Sequence, residues 1–322
     1  MIDTKRFKES LQSVNHSNFE AHTLDVFEHQ WYHNSVYQHY CNLLNRHPKN
    51  VEKLEDIPFL PVEFFKKHTI KSGNWTTETL FKSSGTTGAR SSHHVGDESF
   101  YHEISQNIFE NHFYPLKDVQ VLALLPSYLE QGDSSLISMV NYFISQAARD
   151  SGFFLNENTS LKKVLKNDQT KVLFGVSYAL LDLIEGSQVE TKNTIIIETG
   201  GMKGRRDEIT REELHKRIKA GFGIREVYSE YGMTELLSQA YGKNGEFSFP
   251  PWAKVLIRDI NDPFSLIKPG KTGGINIIDL ANIDTISFIE TKDLGKTDKN
   301  GDFKVLGRFD NTDLRGCNLL IQ

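Results

Sequence analysis

The spacing of apolar residues changes along the chain and divides it into regions. Over residues 4–45, apolar side chains such as Leu24, Phe27 and Trp31 recur at helical intervals, which predicts amphipathic helices. Residues 46–78 carry prolines within an aromatic-rich run and predict an irregular connector. Beyond them, short apolar or β-branched runs alternate with helical periods, which is typical of a parallel or mixed sheet covered by helices.

This alternation predicts individual elements. The predicted helices are 97–113, 134–149, 177–184 and 210–220, and the predicted strands are 119–125, 171–174, 194–197 and 225–229. The last helix opens with a capping box formed by Thr210 and Glu213. After Pro250 and Pro251, short strands are predicted at 254–257, 274–278, 285–289 and 303–306, separated by glycine-containing turns.

We therefore predict an α/β fold in three parts. A helical N-terminal segment occupies 1–78, an α/β core 79–249 and a β-rich subdomain 250–322. The core and the subdomain, 79–322, are expected to form one continuous domain.

Composition and charge narrow the class of protein. The 322 residues are 38% hydrophobic and 25% charged, with a net charge of −5, which argues against nucleic-acid binding through bulk charge. No apolar run is long enough to cross a bilayer, and the N-terminus lacks the apolar core of a secretory signal. Cys41 and Cys317 are too few for a disulfide framework. We expect a cytoplasmic protein without a membrane span or a nucleic-acid partner.

A histidine pair in the predicted helical region 4–45 has the spacing of a metal site. His29 and His33 lie four residues apart, but the glutamate of a His-Glu-x-x-His zinc motif is missing. We expect packed or exposed histidines rather than metal ligands.

A turn rich in serine, threonine and glycine follows the run 77–81. Its glycines let the backbone approach a ligand closely, and its hydroxyl and backbone N–H groups suit an anion. It is not the Walker pattern, and a polar surface loop is the alternative interpretation. The predicted phosphate loop consists of Ser83, Ser84, Gly85, Thr86, Thr87 and Gly88.

Four further motifs follow this loop in a fixed order. They are LPSYLEQG at 125–132, ETGGM at 198–202, YSEYGMTE at 228–235, and TKDLG at 291–295 followed by GRFD at 307–310. Together with the phosphate loop they resemble the motifs of the adenylate-forming enzymes, which include acyl-CoA synthetases, peptide-synthetase adenylation domains and luciferase. The nearest branch is similar to the acyl-protein synthetases of the bacterial luminescence fatty-acid reductase complex, because the chain is short, Ala89-Arg90 follows the loop, and Cys317 lies near the C-terminus.

This resemblance implies a fold and an activity. The fold is the large N-terminal domain of the adenylate-forming enzymes, with helix-covered mixed sheets, a β-rich C-terminal subdomain and no small mobile C-terminal domain. The activity is the ATP- and Mg²⁺-dependent activation of a carboxylic acid as acyl-AMP. A fatty acid is the main candidate for this carboxylic acid. The acyl group then passes to a thiol: the protein's own cysteine, coenzyme A, a carrier protein or a partner reductase.

The resemblance also implies residue roles. Tyr231 stacks on adenine, Asp293 accepts from the ribose hydroxyls, and Arg308 is a cationic donor near the ribose or the phosphates. Thr234 donates to the α-phosphate, and Glu235 helps to hold Mg²⁺. The remaining implied contacts are Gly200, Gly201 and Gly232 beside the nucleotide, and Pro126 and Tyr128 beside the acyl substrate. His93 or His94 could also contact the phosphate or the acyl carboxylate, with His94 the candidate substrate contact.

The sequence leaves alternatives for the catalytic cation, for the acyl acceptor and for the function as a whole. Lys203, Arg205 or Arg206 could supply the cation that a lysine of the small domain supplies in the family, or could form a solvated basic helix start. Cys317 is either the acyl acceptor or a small residue of a last strand. The alternative functions are an aryl- or acyl-CoA ligase of the phenylacetate type and a non-catalytic nucleotide-binding partner subunit.

Overall fold

The computed structural model describes residues 2–84, 89–126, 132–186, 188–200 and 209–309. The α-helices in these residues are α1 (Thr4–Ser10), α2 (Phe19–His33), α3 (Ser35–Leu43), α4 (Glu98–His112), α5 (Ser135–Gln146), α6 (Asn158–Leu165), α7 (Ser177–Ile184) and α8 (Arg211–Phe222). The strands are β1 (Leu60–Pro61), β2 (Thr79–Lys82), β3 (Ser92–Val95), β4 (Gln120–Leu124), β5 (Gly152–Phe153), β6 (Lys171–Val176), β7 (Thr194–Thr199), β8 (Tyr228–Tyr231), β9 (Ala240–Lys243), β10 (Glu246–Ser248), β11 (Ala253–Arg258), β12 (Gly273–Asp279), β13 (Phe288–Thr297) and β14 (Phe303–Arg308). Five short 3₁₀ helices lie at Leu11–Ser13, Leu54–Asp56, Val62–Lys66, Leu116–Asp118 and Leu280–Asn282.

One mixed sheet of 12 strands organises the fold. Its order is β11-β12-β13-β14-β10-β9-β8-β7-β6-β4-β5, and β1 pairs with β13. Strands β5, β4, β6, β7 and β8 run parallel, whereas pairing from β8 to β11 is antiparallel. Every residue of β4 and β6 is buried, as continuous apolar runs of a parallel sheet require. The carboxyl ends of the parallel strands therefore meet at one edge, where ligands bind in open α/β sheets.

Helix ends follow the signals in the sequence. Asp97 precedes α4, and its side chain accepts a hydrogen bond of 2.9 Å from the Phe100 N–H. Thr210 precedes α8, and its hydroxyl accepts from the Glu213 N–H at 3.2 Å, as the predicted capping box requires. Gly223 ends α8 at a φ of 65° in the left-handed region that glycine adopts without strain.

Two predicted strands are found with shifted bounds. Strand β8 begins at Tyr228 instead of residue 225, and β13 covers Phe288–Thr297 instead of 285–289. Residues 285–287 are excluded from β13 because they bind the N-terminal helices: the Thr285 carbonyl accepts from Asn34 and the Ser287 N–H donates to Gln30. The predicted boundaries of the three parts stay a prediction.

The N-terminal helices attach to the β-rich part of the sheet through buried amides. The Gln30 side-chain amide donates to the carbonyls of Asn282 and Ile283 at 3.0 and 3.1 Å. The Asn34 amide donates to the Thr285 carbonyl at 2.9 Å. Because a buried amide without a partner is costly, these bonds fix the position of α2 on the sheet.

Of the histidine pair of α2, His29 is buried and His33 is partly exposed. Among the described residues, neither nitrogen of His29 has a hydrogen-bond partner, and the ring lies 4.7 Å from that of His33 between centroids. Burial, together with the charge of His33, lowers the pKa of His29 to about 4. No group of three or more potential metal ligands occurs among the residues that the structure describes.

His29→Leu is expected to flatten the pH dependence of stability. Because the pKa of His29 is lower in the folded protein than in the unfolded chain, the folded protein binds fewer protons. Stability is therefore lost as the pH falls below 6.5, the ordinary pKa of histidine. Between pH 7.5 and pH 5 this loss is about 2 kcal/mol for His29. Urea denaturation at the two pH values measures it, with exposed His16→Leu as control; an undiminished pH dependence in His29→Leu would contradict the assignment.

A bilayer-crossing helix, judged by length and apolarity, is not found in the described part of the chain.

Candidate active site

A cavity of about 1080 Å³ lies at the carboxyl edge of the parallel strands. Its wall includes residues directly following β4, β6, β7 and β8, together with the end of β14. Residues that are far apart in sequence meet there because parallel strands deliver their carboxyl ends to the same edge. This cavity is the candidate active site.

All five sequence motifs contribute described residues to this one cavity. The predicted site residues that line it are Ser84, Pro126, Gly200, Tyr231, Gly232, Thr234, Asp293 and Arg308. Ser83 and Glu235 lie next to lining residues without lining it themselves. His94 lies elsewhere, with its Nδ1 3.0 Å from the Thr77 hydroxyl. The predicted residues Gly85, Thr86, Thr87, Gly88, Tyr128, Gly201, Lys203 and Cys317 are outside the described residues.

Tyr231, Asp293 and Arg308 form a connected group on one side of the cavity. The Tyr231 hydroxyl donates to Asp293 Oδ2 at 2.7 Å, and Arg308 Nε lies 3.3 Å from Asp293 Oδ1. Asp293 and Arg308 are direct partners in the β13–β14 pairing. Burial, followed by the negative charge of Asp293, raises the pKa of Tyr231, so its hydroxyl stays protonated. The Arg308 side chain is 71% exposed and can therefore reach a bound anion.

The ring of Tyr231 is held by other aromatic rings. It packs edge-on against Phe303 at 5.3 Å between centroids and lies tilted against Phe247 at 5.8 Å. The residue is only 9% exposed and still lines the cavity. A ring fixed in this way offers a rigid apolar surface to a ligand.

A buried histidine positions Thr234. His93 Nδ1 donates to the Thr234 carbonyl at 2.8 Å, and the Thr285 hydroxyl lies 3.1 Å from Nε2. The tautomer is assigned because a carbonyl can only accept. Burial lowers the pKa of His93 to about 4, which keeps the ring neutral. The sequence offered His93 and His94 together as contacts of the phosphate or the acyl carboxylate, and nothing in the pattern indicated that His93 faces inward to support Thr234.

Glu235 is a buried carboxyl group next to the cavity. It is 5% exposed, and burial raises its pKa. A hydrogen bond with Ser91 and the positive charges of Arg308 and Lys66 oppose that shift and favour the carboxylate. A single carboxylate supported in this way suits Mg²⁺, which proteins bind through one or two carboxylates plus substrate phosphates.

The base of the predicted phosphate loop is fixed by Arg90. Its guanidinium forms two bonds with the Asp133 carboxylate, of 2.9 and 3.2 Å, and also donates to the carbonyls of Lys82 and Ser83. The Ser83 N–H donates to the Ser91 carbonyl at 3.1 Å across the same base. The two ends of the loop are therefore held together, and Arg90 serves the loop rather than a ligand.

The lining of the cavity also includes two carboxyl groups that the motif analysis did not single out, Glu198 and Glu230. Glu198 accepts hydrogen bonds from Ser177 at 2.7 Å and from Ser229 at 3.0 Å. Glu230 accepts from the Thr199 hydroxyl at 2.6 Å. Burial raises the pKa of Glu230 to about 7, with the Thr199 bond opposing and the charge of Glu198 adding to the shift. Both residues stand inside the motifs, but the motif pattern does not reveal which wall they face.

Solved structures of adenylate-forming enzymes have the same fold. MatB from Rhodopseudomonas palustris, solved with ATP, is 18% identical with a TM-score of 0.55, over 72% of this chain and 48% of MatB. A 2-hydroxyisobutyryl-CoA ligase in its postadenylation state is 13% identical with a TM-score of 0.66, over 97% of this chain and 69% of the ligase. The chain therefore has the mixed α/β fold of the adenylate-forming enzymes, as the sequence predicted.

The sequence matches lead to one branch of that class. The family model of the acyl-protein synthetase LuxE matches residues 1–99. A curated relative, the long-chain-fatty-acid–luciferin-component ligase of Photorhabdus luminescens, is 36% identical over 69 residues, which are 21% of this chain and 59% of the relative. The resemblance to the acyl-protein synthetases is thus confirmed. The chain spans 59% of the length of this relative and 48% of the length of MatB.

Proposed function

We propose that the protein is an ATP-dependent ligase that activates a carboxylic acid as acyl-AMP and passes the acyl group to a thiol. The observation that carries this proposal is the shared cavity. Described residues of all five motifs line it, and Tyr231, Asp293 and Arg308 are linked there by hydrogen bonds and charge.

We assign the nucleotide to one side of the cavity. The rigid Tyr231 ring offers a face to adenine, Asp293 offers carboxylate oxygens to the ribose hydroxyls, and Arg308 can meet the phosphates. Thr234, fixed by His93, donates to the α-phosphate. Ser83, Ser84 and the loop that follows them bind the terminal phosphates.

The acid occupies the remaining part of the cavity. Its chain lies against the apolar residues Leu125, Ile137 and Met139, and its carboxylate points towards Thr234. A carboxylate oxygen attacks the α-phosphorus, the bond to the β-phosphate oxygen breaks, and pyrophosphate leaves. Mg²⁺ held beside Glu235 would neutralise charge on the phosphate oxygens. Prearranged donors at Thr234 and Arg308 stabilise the charge that develops there.

The substrate and the acceptor are finer parts of the proposal. The curated relative is named for long-chain fatty acids, which supports a fatty acid here. The second step is attack of a thiolate on the acyl carbonyl with AMP as the leaving group. The acceptor is a cysteine of this chain, for which Cys317 is the candidate, or coenzyme A, a carrier-protein thiol or a partner reductase. Lys203 stays the candidate for an additional cation, and a cytoplasmic location stays a prediction.

ATP–pyrophosphate exchange with a panel of carboxylic acids tests the first step. We expect exchange that depends on Mg²⁺ and on an aliphatic acid. Exchange with phenylacetate or benzoate alone would instead favour an aryl-CoA ligase, and ATP binding without any exchange would contradict the proposed activity. Intact-mass measurement after incubation with ATP and acid identifies the acceptor: an acyl adduct that is lost in Cys317→Ser supports self-acylation, and an adduct that survives rejects Cys317.

A further inference from the structure

The acyl side of the cavity has a polar wall. Glu230 precedes Tyr231 in β8, and successive strand residues point to opposite faces of a sheet. Tyr231 packs against the aromatic rings of β10 and β14. Glu230 lies on the other face, where its charge acts on Tyr101 of α4 and on Tyr241 of β9. Glu230 is therefore separated from the group that we assign to the nucleotide.

A second polar side chain stands beside Glu230. Gln239 lines the cavity and is 4% exposed, and its Nε2 donates to the Leu237 carbonyl at 3.0 Å. Among the described residues, its Oε1 receives no hydrogen bond. An unpaired buried carbonyl oxygen costs free energy until a donor reaches it. Gln239 thus carries an unpaired buried acceptor on a side chain that lines the cavity.

Gly232 brings the two side chains together. A Cβ at this position would lie 2.3 Å from Glu230 Oε1 and 3.7 Å from Gln239 Cγ. Only glycine leaves room for the Glu230 carboxyl to lie over the backbone here. Thr199 holds the other carboxyl oxygen, Oε2, at 2.6 Å, so Oε1 is fixed on the Gly232 side.

We infer that Glu230 and Gln239 select an acid whose chain carries a hydrogen-bond donor, namely a hydroxyl or an amino group. This inference rests on the proposed function and defines the substrate class of the same site. The neighbouring wall, formed by Leu125, Ile137 and Met139, takes the apolar part of the chain. Such an acid can donate to the unpaired Oε1 of Gln239, whereas an unsubstituted alkyl chain leaves that oxygen without a partner.

Discrimination by such a wall is expected to be large. A site built to hydrogen-bond a substrate hydroxyl rejects the analogue that lacks it more strongly than an apolar pocket rejects an extra methylene. We expect the wild type to prefer the best donor-bearing acid over its unsubstituted parent by at least about tenfold in kcat/KM. Glu230→Leu and Gln239→Leu each reduce this preference ratio.

The experiment is ATP–pyrophosphate exchange on matched acids. The panel consists of a medium-chain fatty acid and derivatives with one hydroxyl or one amino group near the carboxylate, at mid-chain or at the far end. Thermal shift with the same acids and a non-hydrolysable ATP analogue gives a readout independent of turnover. The control is Glu226→Leu, an exposed glutamate paired with Lys243 away from the cavity. Its preference ratio should equal that of the wild type.

Glu230→Gln separates the two donor types. The amide has the size of the carboxyl group and can still accept from Thr199, so the fold is retained. A hydroxyl-bearing acid keeps most of its preference in Glu230→Gln, because an amide can pair with a hydroxyl. An ammonium-bearing acid loses its preference there, because the negative charge is gone.

Three results would overturn the inference. Equal exchange efficiency with the parent acid and with every derivative removes the selection. Weaker binding of the ATP analogue to Glu230→Leu, at an unchanged preference ratio, places Glu230 on the nucleotide instead. If none of the acids supports exchange, the proposed function itself is refuted. That outcome differs from the first two, in which exchange occurs but the selection or the position of Glu230 is wrong.

Discussion

Glu235→Gln is expected to slow ATP–pyrophosphate exchange by roughly 10²–10³-fold, the range that follows loss of one prearranged charge-stabilising group. The carboxylate lies beside Thr234, is buried, and is the group that we assign to Mg²⁺. The amide keeps its shape but has neither the negative charge nor the second strong oxygen ligand. The Mg²⁺ concentration needed for half-maximal exchange should rise in the variant as well.

Loss of folding does not explain such a result. Burial raises the pKa of Glu235, which means that the folded protein disfavours its charge, and the neutral amide removes that cost. The variant should therefore be at least as stable to urea as the wild type at neutral pH. Glu190→Gln, at a side chain that is 76% exposed, provides the matched control. Exchange by Glu235→Gln within a factor of a few of the wild type would remove Glu235 from the mechanism.

The convergence of the motifs was predictable because it follows from the topology. Alternating strand and helix periods predict parallel strands, and parallel strands place Gly200 and Tyr231 at the same edge. The capping residues were equally accessible, since Thr210 and Asp97 act within their own turns. Local rules are sufficient where the partners are local.

The pairs that complete the site are not local. The hydrogen bond between Tyr231 and Asp293 joins residues 62 apart, and it depends on the order in which β9, β10 and β14 are placed between β8 and β13. Arg90 is of a residue type that often binds phosphate. Its guanidinium instead forms an ion pair with Asp133, 43 residues further along the chain. The sequence around Tyr231 does not identify Asp293 as its partner, and the sequence around Arg90 does not identify Asp133. Which residues meet across a sheet is decided only when the chain folds.

Short polar strands were missed for a related reason. Strand β3 has the sequence Ser-His-His-Val, in which only the last residue is β-branched, so no strand pattern is visible. Strands β9 and β10 are short, with 4 and 3 residues. Their stability comes from pairing with β2, β8 and β14 rather than from intrinsic preference. The inward orientation of His93 depends on this pairing, and the support of Thr234 depends on it in turn.

Asp293→Ala is expected to raise the KM for ATP by about 10- to 100-fold while kcat changes less. Hydrogen bonds to a charged group contribute about 1.5–3 kcal/mol, and the carboxylate both orients Tyr231 and accepts from the ribose in our assignment. An interaction made equally in the ground state and in the transition state appears in KM rather than in kcat. Exchange rates measured over a range of ATP concentrations separate the two parameters.

Two further variants decide how Asp293 acts. Tyr231→Phe removes the hydroxyl that donates to Asp293 at 2.7 Å but keeps the ring among Phe247 and Phe303. If Asp293 binds ribose directly, Tyr231→Phe raises the KM for ATP only slightly, whereas Asp293→Ala raises it strongly. Asp168→Ala, at a side chain that is 88% exposed, should leave both parameters unchanged. An equal and large effect of Tyr231→Phe and Asp293→Ala would mean that the aspartate only positions the tyrosine. An unchanged KM in Asp293→Ala would place the nucleotide elsewhere in the cavity.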